Sequence, residues 1–415
     1  MPTVYFVGVI LTLGALSDGQ TIGDITMLHA ALLLEYNKDV KPAVDQSKPV
    51  DVNLTFELVS VREIDEIMER ISIVGILWMF WEEPRMIWNP LEYNTTFTTR
   101  LSSTKVWKPE LVIAHPIDST KAIGFDHNWY PVRYHYNGMA VWAPGDVMTT
   151  TCNIDITYYP FDTQTCDVTF IPWGSMISEM NLHVAQKEVS RRLFTENGEW
   201  ALQKATTATG LFDGIYPTYS VVLELKRRPT FVVVNVILPV LFMGFLNVLV
   251  FFLPAKSGER VSFAMTVLLA FAVFLTLVGD NMPKTSKPIS ALCYFLLNNL
   301  ILSSLIMTAT IVNLNIYHKD DNISVPQWLA TIVRTLNCMQ RPKRTKVGNL
   351  DERDRKADNK KMKSENLEAD PDDLPVYLKD RITWCDISKT LDFVFGAVSI
   401  LWHLITAVAF FILVV

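Results

Sequence analysis

The residues whose chemistry is plainest from type and spacing lie in one apolar run past the middle of the chain. Glu259, Ser262, Thr266, Leu269, Val273, Thr276 and Asp280 recur at steps of three and four, which on an α-helix lines them along one face. In order, that face runs acid, hydroxyl, hydroxyl, leucine, valine, hydroxyl, acid, and the residues between are nearly all apolar. Such a stripe fits a water-filled path for ions, with carboxylates at each mouth for cations and a Leu269–Val273 constriction that closes by dewetting. One carboxylate about 6 Å from a monovalent cation contributes roughly 0.7 kcal/mol at the dielectric of water; a ring of five gives about 3 kcal/mol, favouring cations roughly a hundredfold before screening. The plainer alternative is a solvated helix end in which Glu259 pairs with Arg260.

A stripe of this kind requires a membrane bundle around it. Half of the 415 residues are apolar and they are unevenly placed. Four stretches, Phe231–Leu253, Val261–Val278, Ile289–Tyr317 and Leu391–Val415, reach the ~20 residues that cross a bilayer core. The only charged side chain between their ends is Asp392. The class implied is an integral membrane protein. The opening run Tyr5–Leu16 is too short to span and is followed by small residues, so residues 1–19 read as a secretory signal; a buried N-terminal strand is the alternative. The signal would put residues 20–228 outside the cell, residues 229–317 in the first three spans, residues 318–390 in the cytoplasm and residues 391–415 in the fourth span, with the mature N-terminus and the C-terminus both extracellular.

Charge agrees with that topology, because Lys and Arg crowd the segment Arg341 to Lys363 as they do in cytoplasmic loops. The run Arg341 to Asp373 is expected to be disordered. Lys226, Arg227 and Arg228 lie on the outer side in this topology, so acidic partners are expected for them. The net charge of −6 averages three environments and excludes no class. Cys152 and Cys166 fall in the oxidising half, whereas Cys293 is in the membrane and Cys338 and Cys385 are on the reducing side, which predicts one disulfide. Asn53-Leu-Thr and Asn94-Thr-Thr are acceptor triplets for glycans on the outer side.

The outer half has its own pattern. Leu28, Leu32, Leu33 and Tyr36 give a short amphipathic helix over Met27–Asn37. From Val50 to Leu225, short runs alternate apolar with polar between Pro, Gly, Asn and Asp, as in an all-β, immunoglobulin-like sandwich. No nucleophile–base–oxyanion arrangement and no metal-ligand cluster is legible, so neither enzyme chemistry nor a cofactor nor a nucleic-acid partner is expected.

Cys152 and Cys166 enclose Tyr159-Pro160-Phe161-Asp162, and Trp142-Ala-Pro144 precedes them. With Tyr36-Asn-Lys-Asp-Val-Lys-Pro42, Trp88-Asn-Pro90, Trp107-Lys-Pro-Glu110, Asn197-Gly-Glu-Trp200, Phe251-Phe-Leu-Pro-Ala-Lys-Ser-Gly-Glu-Arg260 and Pro326-Gln-Trp328, the chain resembles the Cys-loop receptors over nearly its whole length, in particular the nicotinic acetylcholine receptor branch. Anion-selective members carry a Pro-Ala insertion before the pore helix; Ser257-Gly258-Glu259-Arg260 has none. A disulfide closing so short a loop is worth roughly 3 kcal/mol against the unfolded chain, and its aromatic tip would press on membrane helices; a merely stabilising staple is the alternative.

The resemblance implies a homo- or heteropentamer around a central pore in the plasma membrane. A small extracellular ligand would bind between subunits, with monovalent cations in the pore and lipid outside. It implies coupling charges at Asp65 and Glu66 in the first tight turn, at Asp162 and at Arg227, with Pro283 between the second and third spans; ordinary surface pairing is the alternative. The ligand site it implies has Trp173, Tyr216, Tyr219, Ala114 and His115 on the principal face and Ile76 on the complementary face. Members that bind quaternary amines surround the cation with aromatic faces. Here Ala114 stands at a tyrosine position, Ile76 at a tryptophan position, Gly174-Ser175 departs from the usual sequence, and the adjacent-cysteine pair is missing. That implies another small ligand, or protons, metals or amphiphiles, with His115 and His183 as candidates. Trp173 serving only as core packing, and a non-conducting accessory or binding subunit, are the alternatives.

Overall fold

The computed structural model describes residues 20–117, 120–124, 130–280, 289–320, 323–340 and 383–414. The expected signal, Pro283 and the charge-rich cytoplasmic run therefore lie outside the described residues. Two compact units emerge, one built mainly from strands and one from long helices.

The strand unit opens with α1 (Ile22–Leu33), started by a capping box in which Thr21 and Asp24 each bond the other's backbone N–H. Eleven strands follow among the described residues: β1 (Val50–Asp65), β2 (Arg70–Ile87), β3 (Thr98–Ser102), β4 (Leu111–Ile113), β5 (Pro131–His135), β6 (Asn137–Trp142), β7 (Gly145–Thr151), β8 (Thr163–Pro172), β9 (Met180–Val184), β10 (Trp200–Phe212) and β11 (Tyr216–Arg227). They form a seven-stranded sheet of order β3-β5-β6-β2-β1-β9, with β7 also on β2, and a four-stranded sheet of order β10-β11-β8-β4. Pairing is antiparallel except between β1 and β9.

The period of two fixes which side chains fill the core. On β2, Ile71, Ile73, Leu77, Met79 and Trp81 point inward and are buried. Gly75 occupies the same inward series because the Phe56 ring takes its space: a Cβ there would lie 2.2 Å from the ring. On β11 the inward series is Tyr219, Val221, Leu223, Leu225 and then Arg227; the matching series that leads into and along β8 is Asp162, Gln164, Cys166, Val168 and Phe170. Each series thus ends in a buried charge, side by side at the edge of the core. Cys152, just after β7, is bonded to Cys166 of β8, Cα–Cα 5.2 Å, so the disulfide ties one sheet to the other.

The helical unit contains four helices long and apolar enough to cross a membrane. They are α2 (Thr230–Phe252), α3 (Arg260–Asp280), α4 (Ala291–Tyr317) and, after the amphipathic α5 (Gln327–Gln340), α6 (Trp384–Val414). Pro239 supplies no backbone donor, and just upstream α2 loosens into π geometry over Val233–Ile237. α6 begins before the Leu391 expected from hydropathy, so Asp392 lies within the helix. Close approach of α2 and α6 depends on Gly244, where a Cβ would fall 2.0 Å from the His403 ring.

Candidate functional site

The polar stripe lies on α3 and the segment leading into it. Ala264, Val267 and Phe271 are buried against the chain's own helices, whereas Glu259, Ser262, Thr266, Leu269, Val273 and Thr276 are exposed. Leu269 is 65% exposed, in line with the hydroxyls before and after it on the stripe. Thr266 Oγ1 donates to the Ser262 carbonyl at 2.9 Å, and Thr276 Oγ1 to Ala272 at 2.7 Å. Each hydroxyl proton is thereby held by the helix while its oxygen remains able to accept from water. Asp280 closes α3 at the far end.

Arg260 does not pair with Glu259. It turns into the bundle and makes a two-pronged pair with Asp392 of α6, both contacts at 2.9 Å. The sole charge in the apolar stretches of the sequence thus has a partner that spacing along the chain could not reveal.

A second charged group lies at the base of the sandwich. Arg227 Nε and Nη2 meet Asp162 at 2.8 and 3.1 Å, Nη1 donates to Glu66, and Gln164 Nε2 donates to Asp162 at 2.6 Å. The guanidinium stacks over Trp200 at 4.2 Å and Tyr159 at 4.8 Å, an arrangement that stabilises a cation further. Burial works against the charge of Arg227, but Asp162 and Glu66 more than offset it, so its pKa is raised. Burial likewise pushes the Tyr159 hydroxyl up. Asp65 is not brought into this group: it accepts from Ile67 and Met68 N–H in its own turn and pairs with Arg70 at 3.2 Å. Arg228 pairs with Glu196 at 2.6 Å, so two of the three outer basic residues have the expected acidic partners.

The residues proposed for a ligand are only partly together. β10 and β11 form a hairpin with a three-residue loop, Asp213–Ile215, in which Asp213 and Gly214 both have positive φ. Phe212 and Tyr216 flank it in register, and His115 meets Phe212 edge-on at 6.1 Å. Ala114 N–H is tied to the Thr169 carbonyl at 2.8 Å. Trp173, just past β8, is 65% exposed, not core packing, and the segment after it reaches the hairpin through Ile177 N–H to Ile215 O at 3.0 Å. Tyr219 is not at the surface: it is fully buried against Phe170, centroids 6.3 Å apart, and burial pushes its hydroxyl up to about 12. The inward series of β11 puts it there. Ile76 is on the other sheet, half-exposed on the outward face of β2 near the Trp78–Phe80 stack, centroids 6.4 Å apart. His183 bonds Asp51 at 2.9 Å on the surface. Asn53 is exposed and Asn94 half-exposed.

A sheet sandwich with a disulfide-closed loop, joined in sequence to four apolar helices of which one carries an exposed acid–hydroxyl stripe, defines a class of membrane receptor. Residues 26–229 match the family model described as "Neurotransmitter-gated ion-channel ligand binding domain", and residues 236–380 match "Neurotransmitter-gated ion-channel transmembrane region". The chain belongs to the neurotransmitter-gated ion-channel family. It is 31% identical over 327 residues to neuronal acetylcholine receptor subunit alpha-3 of Bos taurus, covering 74% of this chain and 63% of that one. With subunit alpha-6 of Pan troglodytes it is 31% identical over 318 residues, covering 74% and 62%. The human alpha-3 subunit is 30% identical over 327 residues, covering 74% and 62%. The chain thus spans less than two thirds of the length of these relatives.

Proposed function

We propose that this chain is one subunit of a pentameric, extracellular-ligand-gated cation channel of the plasma membrane, with its sandwich outside and its pore lined by α3. The observation that carries this is the exposure of Glu259, Ser262, Thr266, Leu269, Val273 and Thr276 on one side of α3, opposite the side that packs on its own bundle. Five such helices around an axis would stack carboxylates at the mouths and Leu269 and Val273 at a dry constriction.

In this reading residues 1–19 are a signal, residues 318–390 are cytoplasmic, and Asn53 and Asn94 accept glycans. Monovalent cations pass through the pore, with Asp280 at its outer end. Arg227, Asp162 and Glu66 form a charged hub at the end of β11, from which the chain passes through two residues, Arg228 and Pro229, into α2. Ligand binds where Trp173, His115 and Tyr216 of one subunit face Ile76 of the next. Because Ala114 and Ile76 replace aromatic positions, a ligand other than a quaternary amine is favoured. The same replacements favour a second reading, a subunit that needs partners to respond.

Expression of the chain alone with a panel of small ligands, protons and divalent metals separates the two. Ligand-evoked cation current from the lone chain supports the first reading; current only with a co-expressed relative supports the second.

A further inference from the structure

Arg260 adjoins Glu259 in sequence, and a free arginine there would cancel the charge that the inner mouth of a cation path requires. The Arg260 side chain is 5% exposed. Nη1 meets Asp392 Oδ1 and Nη2 meets Oδ2, each at 2.9 Å, and Nε donates to the Leu253 carbonyl. Asp392 is itself held: Asn313 of α4, fully buried, donates from Nδ2 to Asp392 Oδ1 at 2.6 Å and to the Ser388 carbonyl at 3.1 Å. Three helices thus converge on one carboxylate, while Glu259 stays exposed. Lys256 and Lys389, the other cations lining the groove above this pair, are both exposed and screened by solvent and salt.

We propose that Asp392 is a positioning residue for ion selectivity: it holds the Arg260 guanidinium inside the bundle with its charge cancelled, so that Glu259 sets the sign of the inner mouth. This rests on the channel reading above. An arginine stays protonated even when buried, so its charge must be matched locally or it acts on the neighbouring ion path. Without Asp392 each subunit gains one uncompensated positive charge next to Glu259, repeated around the ring. Arg260 without its charge has the opposite effect, leaving a second acid there. A merely structural tie between α3 and α6 would not give two single substitutions opposite effects on selectivity.

The test uses the full chain in a Leu269→Thr background, which is expected to conduct without ligand, and reads the reversal potential as external NaCl is diluted, with surface biotinylation of every variant. Asp392→Asn is expected to lower the cation-to-anion permeability ratio on the order of three- to tenfold. Arg260→Gln is expected to preserve or raise it, and the double variant to return it to the parent's value. Asp392→Asn with the parent's reversal potential, or both single variants shifting the same way, overturns the proposal and leaves the channel reading standing. If Asp392→Asn fails to reach the surface, Arg260→Gln decides, a fall in cation preference overturning the proposal; if neither single variant reaches it, the double variant decides, a value unlike the parent's overturning it. A Leu269→Thr parent that prefers anions, or that passes no current with or without ligand both alone and with a co-expressed relative, overturns the channel reading and this proposal with it.

Discussion

At the scale of single residues, two buried arginines are cancelled by carboxylates while the acid beside one of them is left exposed. Arg227 and Arg260 are each buried against carboxylates, whereas Glu259 is exposed with its neighbouring arginine engaged elsewhere. Glu259→Ala is therefore expected to remove most of the roughly hundredfold cation preference that a ring of carboxylates supplies. Reversal potentials in asymmetric salt would measure it, and an unmoved value would refute the ring. Arg227 is bound by Asp162 and Glu66 together, with Trp200 and Tyr159 beneath it. Arg227→Gln leaves Asp162 buried without its cation, which is expected to cost about 3–5 kcal/mol, seen as lost surface expression or a lowered melting temperature. A charge swap between Arg227 and Glu66 alone will not restore function, because Asp162 would then face a new acid; adding Asp162→Asn to the swap is the variant expected to recover folding. Equal yields from the swap with and without Asp162→Asn would show that Asp162 does not take part.

At the scale of elements, what could be read in the sequence followed from periodicity, and what could not followed from contacts between distant segments. The four spans were legible from apolar runs, and the sandwich from alternation. The burial of Tyr219 was legible too, since Tyr219, Val221, Leu223 and Leu225 keep a strict period of two; the family likeness pointed it at a ligand, and the strand period placed it in the core. The Arg260–Asp392 pair was signalled only by the oddness of one aspartate in an apolar run, because 132 residues separate the partners. Helix packing yields its own prediction. At Gly244 an added methyl would meet the His403 ring, so Gly244→Ala is expected to force α2 and α6 apart and destabilise by roughly 1–3 kcal/mol. Thermal unfolding in detergent would measure this, and Gly244→Ala combined with His403→Ala should recover part of the loss. Leu269→Thr on α3 is expected to wet the constriction and raise resting conductance; a variant whose leak and opening match the parent's would argue against the gate.

At the scale of the whole molecule, the single chain exposes surfaces that the proposed pentamer would cover. α3 presents Leu269 and hydroxyls outward, β2 presents Val74, Ile76, Trp78 and Phe80, and Trp173 stands clear of the core in the turn after β8. Two different faces meeting head to tail close into a ring when the rotation permits. Trp173 follows β8 of the four-stranded sheet and Ile76 lies on the outward face of β2 in the seven-stranded sheet, so in the proposed pocket each of two chains supplies one of them. Trp173→Ala and Ile76→Arg are each expected to abolish the ligand response when expressed alone. Co-expressed, they should restore it, because an Ile76→Arg chain still offers Trp173 to the intact Ile76 of a Trp173→Ala neighbour; random mixing around a ring leaves about a quarter of the interfaces whole. A pocket contained in one chain predicts no restoration at all, since every chain would carry one defect. Ligand-evoked current in co-transfected cells, normalised to surface protein, therefore tells the shared pocket from the private one.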